Sequence, residues 1–258
     1  LIDNKNWYCE IGNQNKDISF AVLGDSHALS FKTVLDKAAS EKKLKGLFTG
    51  FSGCIPFLDV YAIRPDQAEF NCNQLNKKFY QYVKKNKIKK VFLVARWTYY
   101  TDGKYDSTNI SHISKYNNFV SNKKNSRNAF EFGLKNTIDQ YNKIGVKIIF
   151  VHQVPLQIFP PDYIYIHSIK KNEMNYNESL YNLSIDYDKH VFFQKFVKNK
   201  VNLIKKNIFF NELIPDIFLC DKIKCIIGTQ EGSYYIDDNH LSVFGSMQLK
   251  DEIKKFLE

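Results

Sequence analysis

No apolar run in this 258-residue chain approaches the roughly 20 residues that cross a bilayer. The longest, Val91–Ala95 and Ile148–Val151, are strand-sized. Arginine is nearly missing: Arg64, Arg96 and Arg127 are the only ones, although the net charge is +10. A basic chain invites a nucleic-acid reading, but arginine forks make the bidentate phosphate and base contacts that such recognition favours. The charge here is lysine mixed with asparagine, as at Lys84-Lys85-Asn86-Lys87 and Lys198-Asn199-Lys200, and solvated helix faces account for it. We therefore expect no nucleic acid as partner, and at most a weak attraction to anionic polysaccharide or lipid head groups. The chain also lacks a phosphate loop, a dinucleotide glycine pattern and a metal-ligating constellation. No metal and no resident cofactor are expected. An initiator methionine and a signal-peptide plan are missing as well, so Leu1 reads as a cut inside a longer protein.

What remains is an ordinary globular composition, 44% hydrophobic, in a length that suits one α/β domain. Five cysteines stand out by position. Cys54 and Cys72 bracket a proline-containing loop, and Cys220 and Cys225 bracket a short polar turn. Neither pair has Cys-x-x-Cys spacing. We read two disulfides, Cys54–Cys72 and Cys220–Cys225, with Cys9 left over; the alternative is five reduced thiols in a cytosolic protein. Disulfides would place the domain in an oxidising compartment.

Along the chain, residues 1–17 lack periodicity and read as a linker or strap, with the domain spanning 18–258. Ile18–Leu23 reads as a strand, followed by an amphipathic helix from Ser26 to about Ser40. Leu44–Thr49 is a second strand. A helix from about Gln67 to Asn86 precedes the strand Ile88–Ala95, whose continuous apolar run suits burial on both faces. Residues 101–126 read as a surface insertion. A helix over Ala129–Ile144, a strand at Val146–Val151, a long helix over Asp186–Lys206, a short strand at Asn207–Phe210 and a last helix over Leu241–Leu257 complete the pattern. Alternating strands and helices predict a parallel sheet between helix layers.

The chemistry gathers at two distant stretches. Ser26 follows the first strand, in Leu23-Gly24-Asp25-Ser26-His27. At the start of a helix its hydroxyl meets free N–H groups and the positive end of the dipole. Gly24 permits a sharp turn and Asp25 can hold it. A lone Gly-Asp-Ser is also an ordinary helix cap. Far away, Asp237-Asp238-Asn239-His240 places a carboxylate three residues before a histidine. That spacing lets the acid bond one ring nitrogen while the other faces a neighbouring loop, and a histidine held this way is in the right tautomer to take a serine proton. Asp238 is the rival orienter, and a structural histidine near a helix cap is the plain alternative.

Together the two stretches resemble the SGNH (GDSL-type) hydrolase superfamily. With Gly53-Cys54-Ile55-Pro56, Val94-Ala95-Arg96-Trp97 and Val154-Pro155 between them, they follow the order of SGNH domains fused to acyltransferase-3 membrane proteins, which O-acetylate surface polysaccharides. The resemblance implies a flavodoxin-like three-layer α/β/α sandwich with a central parallel sheet. It makes Ser26 the nucleophile, His240 the general base and acid, and Asp237 its orienter, with an acyl-serine intermediate. Ser26 and Gly53 would supply N–H donors to the oxyanion. The superfamily's third block usually ends in asparagine, which is missing here, so Arg96 or the Trp97 indole substitutes, or the hole has two donors. His27, Trp97 and Tyr99, with Tyr100, are candidates to touch substrate, and the Cys54–Cys72 frame fits the same family. The implied function is acetyl transfer to a cell-surface glycan such as lipopolysaccharide O-antigen, on the periplasmic side. The acetyl-CoA donor would be used by a fused or associated membrane domain rather than bound here. An acetylesterase of the same superfamily and a glycan-binding module with a vestigial triad are the alternatives.

Overall fold

Six strands build one sheet: β1 (Cys9–Gly12), β2 (Ile18–Gly24), β3 (Lys45–Gly50), β4 (Lys90–Val94), β5 (Lys147–Val151) and β6 (Phe210–Leu213). Their spatial order is β1-β3-β2-β4-β5-β6. The five strands from β2 to β6 run parallel, and only β1 is antiparallel, pairing Cys9 with Phe48 through Gly12 with Lys45. The computed structural model describes residues 7–63, 71–106, 108–116, 121–170 and 176–258.

Strand alternation sorts the core into two layers. Phe20, Val22, Phe92, Val94, Ile149 and Val151 pack on one face, against Phe31, Val34 and Leu35 of α1 (Ser26–Glu41). Ala21, Leu23, Val91, Leu93, Ile148 and Phe150 pack on the other. There they meet Phe79 and Val83 of α2 (Cys72–Lys85) and Phe130, Leu134 and Ile138 of α3 (Lys123–Lys143). The result is the expected three-layer α/β/α sandwich. Both disulfides, Cys54–Cys72 and Cys220–Cys225, are formed, and Cys9 is unpaired. No helix among the described residues is long and apolar enough to cross a membrane.

Several expectations are corrected. The segment 1–17 is not merely a strap, because Cys9–Gly12 is an edge strand and Trp7 packs edge-on against Phe79 and Tyr82; residues 1–6 lie outside the described residues. The helix over 67–86 is described from Cys72 to Lys85, capped by the Asn71 side chain on the Gln74 N–H; residues 64–70, Arg64 and Pro65 among them, are outside the described set. Residues 101–126 are not a surface insertion: Thr101, Asp102 and Ile113 are buried, and Ile113–Ser114 pairs with Tyr61–Ala62. The long helix over 186–206 is split into Tyr187–Phe193 and Lys195–Asn202 at the buried Gln194. The short strand expected at Asn207–Phe210 lies at Phe210–Leu213. The last helix breaks into Val243–Met247 and Lys250–Leu257, with Ser242 capping the Gly245 N–H.

Candidate active site

Reactive groups in an open α/β sheet collect beyond the carboxyl ends of its strands, and β2 ends at Gly24 for a local reason. A Cβ there would stand 1.9 Å from the Val94 carbonyl oxygen of β4. Only glycine lets the chains approach so closely, and the Asp25 N–H donates to that same carbonyl at 3.2 Å. Asp25 then caps α1, its Oδ1 accepting from the His27 N–H at 2.8 Å. Its Oδ2 accepts from the Arg96 N–H at 3.0 Å and the Tyr100 hydroxyl at 2.9 Å. One buried carboxylate thus ties the start of α1 to the chain leaving β4. Burial outweighs those hydrogen bonds and pushes the Asp25 carboxyl up to about 6.

Ser26 opens α1 and meets the distant loop. Its Oγ lies 2.8 Å from His240 Nε2, and His240 Nδ1 lies 2.7 Å from Asp237 Oδ2. The second carboxylate oxygen of Asp237 accepts from the backbone N–H groups of Asn239 at 2.8 Å and His240 at 2.7 Å. Burial, the largest single influence, would raise the Asp237 carboxyl. The hydrogen bonds from the His240 ring and from the two N–H groups outweigh it and hold the acid well below the usual carboxylate range. A fixed carboxylate on Nδ1 selects the tautomer that leaves Nε2 free to accept the serine proton. Asp238, the rival orienter, is turned away and holds Lys104 at 3.1 Å.

Ser26 and His240 face a cavity of about 690 Å³ that Gly53, Arg96, Tyr99 and Ser111 also line. Gly53 has φ +69°, a left-handed turn that suits glycine. Its N–H has no partner among the described residues. As a first-turn residue, Ser26 carries one of the N–H groups that a helix leaves unpaired. The Arg96 guanidinium also reaches this cavity, 5.2 Å from the centre of the Tyr99 ring.

Three expected contacts are corrected. The Trp97 indole N–H donates to the Val151 carbonyl at 2.8 Å, and the fully buried ring is stacked between Phe57 and Phe150. It is a core side chain, neither an oxyanion donor nor a sugar platform. Tyr100 is buried with its hydroxyl on Asp25. His27 is 3% exposed, and its Nε2 lies 3.0 Å from Asn239 Oδ1. Burial, then the neighbouring charges of His240 and Arg96, lowers its pKa to about 3. It is a neutral ring 4.6 Å from that of His240, bracing the Asp237–His240 loop rather than meeting substrate. Sequence reasoning missed Asn239 in this role and Ser111 as cavity wall, for no sequence signal pairs either with the site. Among the described residues no His/Cys/Asp/Glu group could hold a metal ion.

Fold and site together define an α/β protein with a serine–histidine–aspartate arrangement at its sheet edge. The chain belongs to the family of SGNH domains fused to AT3 domains, whose profile matches residues 2–255. A search of curated proteins found no match. Among solved structures, the chain is similar to the periplasmic domain of a lipopolysaccharide acetyltransferase from Salmonella ser. Paratyphi A. The two are 17% identical with a TM-score of 0.68, over 95% of this chain and 85% of that one. It also aligns with the C-terminal catalytic domain of peptidoglycan O-acetyltransferase A from Streptococcus pneumoniae. There the identity is 12% and the TM-score 0.40, over 93% of this chain and 92% of that one. An acetylxylan esterase from Geobacillus stearothermophilus is 12% identical with a TM-score of 0.46, covering 96% and 95%.

Proposed function

We propose that this domain transfers an acetyl group to a hydroxyl of a cell-surface glycan through an acyl-Ser26 intermediate. The observation that carries the reading is the continuous chain of Ser26 Oγ, His240 and Asp237, with contacts of 2.8 and 2.7 Å, opening on one cavity. In the first half-reaction His240 Nε2 takes the serine proton as Oγ attacks the acetyl carbonyl. The tetrahedral oxyanion is held by the N–H groups of Ser26 and Gly53. His240 then returns the proton to the departing group. In the second half the glycan hydroxyl occupies the vacated side, His240 takes its proton, the sugar oxygen attacks the acyl carbonyl, and His240 returns the proton to Ser26 Oγ as the acetyl group leaves on the sugar. Asp237 stabilises the imidazolium in both halves without taking a proton. Of the two side chains expected as third donor, Arg96 is the one still available.

Membership in a family fused to AT3 domains, and likeness to a lipopolysaccharide acetyltransferase domain, support a glycan acceptor and a membrane-bound partner domain. The two disulfides support an oxidising, extracytoplasmic location. On this reading the acetyl-CoA donor is consumed by the membrane part. Water in place of the sugar hydroxyl turns the same machinery into an acetylesterase, which gives a simple assay. The isolated domain is expected to hydrolyse a small neutral acetyl ester weakly. Ser26→Ala and His240→Ala should each abolish that hydrolysis; activity that survives both substitutions rules the mechanism out.

A further inference from the structure

Arg96 is a charge near carboxylates but hydrogen-bonded to none of them among the described residues. It is 9% exposed, yet among the described residues its guanidinium makes no hydrogen bond or ion pair, and Nε is buried without a partner. Arginine stays protonated in proteins, and a buried charge with no hydrogen bonds is costly unless something supplies them. The nearby carboxylates are engaged elsewhere. Asp25 holds two backbone N–H groups and Tyr100, Asp237 holds His240, and Asp238 holds Lys104. Arg96 also stands where two cavities adjoin. Besides the Ser26 cavity it lines a smaller one of about 240 Å³. The charged residues around that space are Arg96, Lys104 and Lys189 against Asp106 and Asp238. Asp106 is tied to Thr108, and Lys104 to Asp238. Lys189 lies 5.1 Å from the centre of the Tyr105 ring and has no ion-pair partner among the described residues. The polar neighbours Tyr105 and Gln157 donate to the carbonyls of Leu156 and Cys225. The donors left open toward the small cavity are therefore the Arg96 fork and the Lys189 ammonium.

From this we infer that the acceptor is an acidic glycan, whose carboxylate or phosphate substituent is held by Arg96 and Lys189 in the small cavity while its reacting hydroxyl faces Ser26 and His240. A planar guanidinium grips an oxyanionic group through two parallel hydrogen bonds. Charged hydrogen bonds of that kind correspond to a preference of about tenfold or more. The inference rests on the acceptor-site reading above, but binding can be measured without acyl transfer.

The test uses the Ser26→Ala protein, titrated by NMR with methyl glucuronide, glucose 6-phosphate and the neutral methyl glucoside. At least one acidic ligand should bind about tenfold tighter than the glucoside, and the better of the two identifies carboxylate or phosphate as the group recognised. Arg96→Gln should remove the preference, Arg96→Lys should recover part of it, and the exposed Lys189→Gln should weaken it about threefold. Equal binding of acidic and neutral sugars, or a preference that survives Arg96→Gln, overturns the inference. So does a 10²–10³-fold loss of neutral-ester hydrolysis in Arg96→Gln without any acid preference, the mark of a missing oxyanion donor. Failure of the acyl-transfer reading would appear separately, as ester hydrolysis that does not depend on Ser26.

Discussion

Two histidine–aspartate pairs sit in this molecule with nearly the same bond and opposite surroundings. His240 Nδ1 and Asp237 are 2.7 Å apart, and their side chains are 24% and 45% exposed. His190 Nε2 and Asp216 are 3.0 Å apart, with side chains 1% and 5% exposed. Lys198 brings a cation to Asp216 at 2.9 Å, and the Gln194 amide nitrogen lies 3.2 Å from Nε2 and 3.3 Å from Nδ1 of the His190 ring. Burial would raise the Asp216 carboxyl, but hydrogen bonds from His190 and Lys198 prevail and hold it at about 2. The imidazole–carboxylate pair is therefore not what makes a site. His240 differs because its free nitrogen faces a hydroxyl at a helix N-terminus and an open cavity, whereas His190 is sealed in a polar network that runs through Gln194 to Gln153 and Thr98.

The comparison can be broken most forcefully at the open pair. His240→Ala should lower ester hydrolysis by about 10³-fold or more and shift the thermal midpoint less than the change at the sealed pair, as a ring at the cavity rim is lost. Asp216→Ala should do the reverse. Removing one partner of a buried ion pair costs about 3 kcal/mol or more, read as a lower denaturant midpoint, while hydrolysis per folded molecule stays within about twofold. If Asp216→Ala proved silent in stability, the two pairs would not differ as described.

A pH measurement sharpens the comparison around the active loop. His27 titrates at about 3 in the folded chain against 6.5 for a free histidine. Between those values the unfolded chain binds a proton that the native one does not, so this group makes stability fall as pH drops. Asp25, raised from 3.8 to about 6, acts in the opposite direction between those values. His27→Gln should therefore remove an acid-destabilising slope of up to about 1.4 kcal/mol per pH unit. The variant should hold or gain stability from pH 6 to 4.5, where the parent gains less or loses. Identical slopes in the two proteins would place His27 in solvent. The smallest effect is expected at Trp97→Phe, which removes one buried hydrogen bond: about 1–2 kcal/mol of stability, with ester hydrolysis unaffected.

The four central strands and the two reactive stretches are legible because each is a local signal. A continuous apolar run such as Val91–Val94 suits only a strand covered on both faces, and Gly-Asp-Ser after a strand marks a tight entry into a helix. Asp237 and His240, three apart, needed only a turn to meet. Partnerships across the chain were not legible. Nothing local announces that Trp97 donates to Val151, that Tyr100 serves Asp25, or that His27 braces Asn239, since each depends on which strand ends become neighbours. Aromatic residues after a strand looked like a sugar wall because exposure cannot be read from residue type; only Tyr99 lines the cavity. Cys9–Gly12 went unseen because a four-residue edge strand with one buried side chain has almost no pattern. Gln194 split a helical stretch because its buried amide serves tertiary partners, which periodicity does not register.

The central claim, that Ser26 is a nucleophile activated by His240, is tested most directly by covalent trapping. Incubation with a serine-directed sulfonyl fluoride, followed by peptide mass spectrometry, should place a single adduct on Ser26. Labelling should slow by orders of magnitude in His240→Ala and proceed normally in Asp216→Ala. An unlabelled Ser26, or labelling equally fast without His240, would contradict the account.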